Sequence, residues 1–388
     1  MRSHLKILLG GLAVLLAVLA CSIQTNPANP LSTAPVTAST ASPVPPTAPP
    51  ALPVAASPDI QTLHMLDTNN GWGMTDSAVL RTTDSGLTWY SATLAGFNGT
   101  QARTFFLDTD HGWVSVMGSD PTTGTVYRTS DGGVTWTHAT TPFGGGSLHF
   151  VDALHGWDMV ELSAGMSHEA VAIFRTSDGG ATWIQVYTND PNAPGASDSL
   201  PLVGDKNGIT ALDEHHVWVT GMQPSNDFVY AYLSQDGGST WMQPAFTMPA
   251  GYSGAMTNAF APVFFGSNDV VLPVMVGTAD SIATEFYESE DGGQTWSTSI
   301  PIALNGVPSV APDVVDFFVW DGGPSLGVSH DGGASWTTVK PNINIVDNLT
   351  AFQFVNATTG WVISVDASNH HTLYKTADGG MTWNVLIP

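Results

Sequence analysis

Thr82-Thr83-Asp84-Ser85-Gly86-Leu87-Thr88-Trp89 decides the fold, because the same pattern returns six times: at Thr129–Trp136, Thr176–Trp183, Ser234–Trp241, Ser289–Trp296, Ser329–Trp336 and Thr376–Trp383. The common form is Ser/Thr-x-Asp-x-Gly-x-Ser/Thr-Trp. Its aspartates, Asp84, Asp131, Asp178, Asp236, Asp291, Asp331 and Asp378, lie 47, 47, 58, 55, 40 and 47 residues apart, which suits units of four short strands. A short aspartate accepts backbone N–H bonds in a tight turn, glycine reaches backbone angles closed to other residues, and the hydroxyls bond locally. The motif therefore predicts a hairpin turn. The tryptophan that ends it, Trp89, Trp136, Trp183, Trp241, Trp296, Trp336 or Trp383, starts the next strand and supplies a large ring for burial.

A second motif precedes most of these turns: an apolar strand, an Asp or Asn, and five residues later a Trp that usually follows Gly. Examples are Asp67 to Trp72, Asp108 to Trp113, Asp152 to Trp157, Asp213 to Trp218 and Asn356 to Trp361. In the fifth unit Val271 stands for the tryptophan. The sixth, read on Trp320, is shortened and lacks the leading aspartate, so these two units are the least regular. Each unit reads as strand, Asp/Gly-Trp turn, strand, variable loop, strand, Asp-Gly turn, strand. Such units bury both sheet faces only by stacking around an axis.

The first of these turns resembles the Asp-box, or BNR repeat, of sialidases, sortilin-type receptors and xyloglucanases, and the two turns together most resemble the photosystem II assembly and stability factor family, over Asp59 to Pro388. The resemblance implies an all-β, seven-bladed β-propeller of four-stranded blades, with an Asp-box between the third and fourth strands of each. All seven units are complete in sequence, so the ring is expected to close by packing first on last without an exchanged strand.

The N-terminus reads differently. Arg2 and Lys6 precede an apolar run from Ile7 to Ala20 that is short for a membrane span, the pattern of a secretion signal over residues 1–20. Val18-Leu19-Ala20-Cys21 resembles a bacterial lipobox, and Cys21, the sole cysteine, has no partner for an internal disulfide. Cys21 is therefore the expected lipidation site, placing the chain outside the cytoplasm and anchored to the bacterial membrane by lipid alone. Residues 21–58 form the expected stalk: from Ser22 to Pro58 the chain has ten prolines and no charged residue.

Beyond the signal, 33 acidic residues face only seven basic ones, a balance that repels nucleic acid and anionic headgroups. Much of the aspartate sits in turns. Arg81, Arg128, Arg175 and Lys375 share one strand position three residues before the turn aspartate, and their repetition by unit points to structure. The chain lacks the three-arginine clamp and Arg-Ile-Pro motif that a sialidase would carry. All thirteen tryptophans fall to the two turn motifs, leaving none as a sugar platform. The basic patch of the photosystem II factors is likewise missing, so no binding residue is carried over from that family.

Recognition is expected on the face away from the Asp-Gly turns, where connections vary. Two long ones stand out, Tyr187 to Gly208, with Asp190, Asp198, Asp205 and Lys206, and Pro244 to Phe260, with Met248, Tyr252, Met256 and Asn258. They enter consecutive units and should be neighbours. Candidate binding residues are Arg103, Asp198, Lys206, Tyr252 and Asn258. No catalytic constellation, cofactor or metal is assigned: the loop carboxylates Glu169, Asp198 and Asp227 are three among many, and His215-His216 and His370-His371 point to opposite faces of extended chain. The expectation is a monomeric binding or scaffold module for an envelope or extracellular protein or a glycan. The alternatives are a glycoside hydrolase using loop carboxylates and a purely structural envelope component.

Overall fold

The computed structural model describes residues 51–387, apart from 95–96, 98, 100–101, 121, 166–167, 224–227, 314 and 347. The secretion signal, Cys21 and Asp227 lie outside the described residues. Among the described residues the regular elements are all strands, and every strand pair is antiparallel.

The first unit comprises β1 (Thr62–Met65), β2 (Gly71–Met74), β3 (Val79–Thr82) and β4 (Tyr90–Ser91). The second has β5 (Ala102–Phe106), β6 (Gly112–Met117), β7 (Gly124–Thr129) and β8 (Thr137–Thr141), and the third β9 (Ser147–Phe150), β10 (Gly156–Gly165), β11 (His168–Thr176) and β12 (Ile184–Thr188). The fourth has β13 (Asp205–Ala211), β14 (Val217–Gln223) and β15 (Ala231–Ser234), its outer strand reduced to a bridge between Leu233 and Met242. In the fifth, the inner strand is split into β16 (Met256–Ala259) and β17 (Val263–Phe265), both paired with β18 (Asp269–Gly277), followed by β19 (Ile282–Ser289) and β20 (Ser297–Thr298). The sixth holds β21 (Val307–Val310), β22 (Phe317–Trp320), β23 (Leu326–Ser329) and β24 (Thr337–Val339). The seventh holds β25 (Leu349–Phe354), β26 (Gly360–Val365), β27 (His371–Thr376) and β28 (Asn384–Ile387). Because β16 also pairs with β14 at Met222 and Asn258, the fourth and fifth units share one eight-stranded sheet; the others are four-stranded.

The apolar clusters lie between successive units. Trp113 of the second packs with Phe150, Val160 and Phe174 of the third, Trp157 of the third with Ile209 and Val219 of the fourth, and Trp361 of the seventh with Met65, Leu80 and Trp89 of the first. The second-strand ring of one unit lies flat on the ring ending the first strand of the next: Trp72 on Phe106 at 4.5 Å, Trp113 on Phe150 at 3.8 Å. Phe150 sits so close over Gly156 that any side chain there would collide with its ring, which is why glycine precedes Trp157. Sheets that bury their faces only against the next sheet, the last against the first, make a β-propeller.

Two details differ from the sequence reading. In the sixth unit the position paired three residues before the turn aspartate is Phe318, opposite Val328, not Trp320. Phe318 stacks on Phe354 at 3.7 Å as the tryptophans do elsewhere, and Asp313, five residues earlier, accepts bonds from the backbone of Val315 and Asp316. The leading aspartate is thus present; a phenylalanine in place of tryptophan hid the register, since either ring fills the slot. Trp320 lies outside the motif and is buried beside Trp383 at 5.4 Å. The second detail concerns the stalk: Val54 bridges Tyr90, with Ala55 donating to the Trp89 carbonyl, so the end of that segment lies along the outer edge of the first sheet.

Candidate binding site

The two ends of the units differ in chemistry. At one end, each Asp-Gly turn bonds to the first hairpin turn of its own unit, as Gly132 to the Asp110 carbonyl, Gly179 to Leu154 and Gly379 to Thr358. The turn aspartates are consumed locally. Asp178 Oδ1 accepts from Thr176 Oγ1 at 2.9 Å and the Thr182 amide at 2.8 Å, and Oδ2 accepts from Thr182 Oγ1 at 2.7 Å. Such bonds outweigh the small desolvation of these carboxyls and hold them below the ordinary aspartate range, in the case of Asp291 at about 2. Paired glycines at positive φ, 70° at Gly132 and 84° at Gly133, close the turn; in the first unit Ser85 takes the same conformation at 70°.

Four of the basic residues belong to this framework as well. Arg128 donates to the carbonyls of Asp178, at 2.6 Å, and Gly179 in the next unit. Arg81 and Arg175 lie over Trp72 and Trp157, and Lys375 lies over Trp361 at 5.3 Å.

The opposite end carries the candidate site. Met117 lies five residues along β6 from Gly112, and therefore about 16 Å from the turn end at the usual strand rise. There a cavity of about 360 Å³ opens between the second, third and fourth units. Its walls bring together Arg103 on β5, Ser115 and Met117 on β6, the Gly144-Gly145-Gly146 connection, Glu161 on β10, Glu169 on β11 and Lys206 on β13. Arg103 is exposed and donates to the carbonyl of its own neighbour Ala102. Lys206 is buried: its Nζ donates to the carbonyls of Glu169 at 2.7 Å, Leu202 at 3.1 Å and Gly204 at 3.1 Å, and lies 5.4 Å from the centre of the Tyr230 ring. Withdrawal from water brings that ammonium down to about 8. Glu169 Oε2 accepts the Lys206 amide, while burial, reinforced by the charges of Glu161 and Asp205, keeps the Glu169 carboxyl above its ordinary range.

Of the five candidate residues read from the sequence, Arg103 and Lys206 line this cavity. Asn258 is one bond away, accepting from Asn207 Nδ2 at 2.7 Å; Asn207 also donates to the Ala259 carbonyl, which makes the two long connections neighbours. Asp198 lines a separate, wider hollow of about 930 Å³ with His168, Asn189 and Leu200–Val203. Tyr252, half-buried, packs on the apolar cluster between the fourth and fifth units rather than standing free, because its ring has apolar surface within reach to cover. Tyr187, at the start of the first long connection, is core: its hydroxyl donates to the Ser197 carbonyl at 2.8 Å and accepts the Leu200 amide.

Residues missed in the sequence are Ser115, Asp158 and Glu161. Asp158 stands directly after a motif tryptophan, where the other units have Gly73, Val114, Val219 and Val362, and that contrast was the available signal. Met117, Leu162, Val203, Met222, Met256 and Ile282 all lie exposed at strand ends or connections on this side. No group of three or more His, Cys, Asp and Glu is placed to hold a metal among the described residues.

No family model matches the chain, and no curated protein matches it in sequence. Among solved structures it is similar to an oligogalacturonate lyase from Vibrio parahaemolyticus, with a TM-score of 0.57 at 9% identity over 84% of this chain and 91% of that one. It is also similar to YCF48 bound to D1 peptide (TM-score 0.49, 17% identity, 87% and 97% of the two chains) and to YCF48 from Cyanidioschyzon merolae (0.48, 15%, 74% and 85%). At these identities the likeness concerns the fold and leaves the chemistry to the site.

Proposed function

We propose that the chain is an extracytoplasmic, lipid-anchored propeller of seven Asp-box blades that binds a protein or small ligand at the end opposite its Asp-Gly turns, with the cavity between the second, third and fourth units as the site. The observation that carries this reading is the division of labour between the two ends. At the turn end the aspartates are spent on hydroxyls and backbone amides, and Arg81, Arg128, Arg175 and Lys375 on carbonyls and tryptophan rings; at the cavity end Arg103 and Glu161 stand open.

Photo-crosslinking tests it. A photoreactive residue at Leu162 or Met256 should capture a defined partner from envelope extract, and the same residue at Leu154, on the turn end, should not. Equal capture from both ends would refute the assignment. Anchoring is tested separately: a fatty-acid probe should label the wild type and not Cys21→Ser, and equal labelling would remove the lipid from the proposal.

A glycoside hydrolase is the second reading, favoured by one observation: Glu169 is kept protonated more readily than an ordinary carboxyl beside the exposed Glu161, as a general acid and its companion would be. Turnover on a glycan panel, abolished by Glu169→Gln, would put this reading first.

A further inference from the structure

We infer that the cavity receives a primary ammonium group carried on a flexible apolar stem, and that Asp158 and Ser115 are the groups that hold it. The inference rests on the reading of this end as the binding end and names the chemistry of what binds there.

Side chains alternate along β10. Trp157 and Met159 enter the cluster between the third and fourth units, and Val160 enters the one between the second and third, so Asp158 points toward the second unit. From the other side of that interface β6 sends Trp113 into the same cluster as Val160, and Ser115, two residues on, points the same way. Asp158 is 0% exposed and Ser115 1%, and neither the two carboxylate oxygens nor the hydroxyl has a hydrogen-bond partner. A buried carboxyl without a partner is strongly unfavourable, and such a group calls for a missing counterpart.

The position of these atoms says what the counterpart is. The glycine connection runs between them: Gly146 packs on Asp158 Oδ1 and the Met159 carbonyl, and at Gly145 a side chain would come 3.1 Å from Ser115 Oγ. Ser115, Gly145, Gly146, Met117 and Met159 are also walls of the cavity, Asp158 Oδ1 lies directly behind Gly146, and the two methionines supply the apolar part of the lining. An ammonium has three donors and no acceptor, which suits a carboxylate and a hydroxyl, and an apolar stem suits the two methionines beside them. The chain's own lysine does not supply it, because Lys206 Nζ is occupied by three carbonyls. Of the other charged groups on the walls, Glu161 and Glu169 favour a cation and the exposed Arg103 stands at the rim. The whole chain, at −24, draws cations toward it.

The same chemistry occurs in a free diamine and in a lysine side chain of a partner protein. Calorimetry on the full chain in detergent separates them, using 1,5-diaminopentane, an N-acetyl-lysyl peptide, the Nε-acetylated form of that peptide, and calcium and potassium chloride. The amines should bind saturably, the acetylated peptide at least tenfold more weakly. Asp158→Asn should weaken amine binding at least tenfold while the folded protein melts no lower than wild type, since a buried unpartnered carboxyl is replaced by a neutral amide of the same shape; Ser115→Ala should weaken it severalfold. At pH 7 binding should release a proton, seen as a heat that depends on the buffer, because burial holds the empty Asp158 carboxyl at about 8. Binding of the peptide alone identifies a protein lysine as the source; binding of the diamine with equal affinity identifies a free amine. The inference is overturned if no amine binds at pH 7 to 9, if Asp158→Asn binds as wild type, or if calcium or potassium binds there and amines do not. Retention of the Leu162 crosslink by Asp158→Asn in that event would show that the binding end stands while its ammonium chemistry does not.

Discussion

Trp361 donates its indole N–H to the carbonyl of Ser85 at 2.9 Å across 276 residues of sequence, and this bond joins the last unit to the first. The same contact is made between neighbours elsewhere: Trp113 donates to Gly179 and Trp157 to Gly237, each reaching the Asp-Gly turn of the following unit at 2.9 Å. At the closure it is reinforced by Gln353, whose amide bonds both the N–H and the carbonyl of Met65 at 2.8 Å. The ring therefore closes with the interaction that builds it.

Trp361→Phe keeps an aromatic ring in the cluster but leaves the Ser85 carbonyl without its donor. A loss of about 1–3 kcal/mol in urea unfolding is expected. Trp336→Phe is the control, since Trp336 is only half-buried and its donation to the Ile300 carbonyl is near solvent. A closure mutant no less stable than that control would show that the ring does not depend on this contact.

The turn aspartates should matter to stability and to its acid limit. Asp178→Ala removes three acceptor bonds at a turn near the surface and should cost about 1–2 kcal/mol. Their folded pKa values lie below the unfolded ones, so the unfolded chain binds more protons in acid. The stability they contribute is complete above the unfolded aspartate range and falls as pH drops through the folded values, near 2 for Asp291. Melting temperature should therefore decline from about pH 4 downward, more gently in Asp178→Ala. An identical acid limb in wild type and mutant would contradict the assignment.

Glu285 works in the opposite sense. It is 0% exposed, Ser299 Oγ donates to its Oε1 at 2.9 Å, and Oε2 has no partner. Burial pushes its carboxyl up to about 7 from 4.5, so over that window the folded protein holds a proton that the unfolded chain has lost. Stability is full below 4.5 and declines as pH rises through 7, by about 3 kcal/mol from this group. Glu285→Gln should flatten the melting temperature between pH 5 and 8 and raise it at pH 8. A mutant that keeps the wild-type slope would place the decline elsewhere, with Asp158 the next group to test.

The repeat units, their order and their turns were legible in the sequence, because each turn aspartate is satisfied within its own eight-residue motif and each motif tryptophan has its slot set by local strand alternation. Short-range bonds of the kind Asp131 makes with Thr129 and Thr135 leave their mark on residue types at fixed spacing. Where a different ring could fill the same slot, as Phe318 does, the mark faded. The cavity was less legible. Arg103 was singled out at the start of the second unit's first strand and Lys206 within a long connection, yet whether each was free could not be read from position: Lys206 is caged by carbonyls from Glu169 and the connection before it, contacts made only once β11 and β13 lie side by side.

Asp158 and Ser115 mark the boundary most clearly. Local sequence determined that β6 and β10 are strands and which faces they bury, since alternation and the tryptophan register are properties of a single unit. Tertiary packing alone decided that the polar residues on those two faces close on the same glycine connection, each without a hydrogen-bond partner. Side chains 43 residues apart become neighbours only when their sheets stack, and no short-range pattern records a partner that is missing.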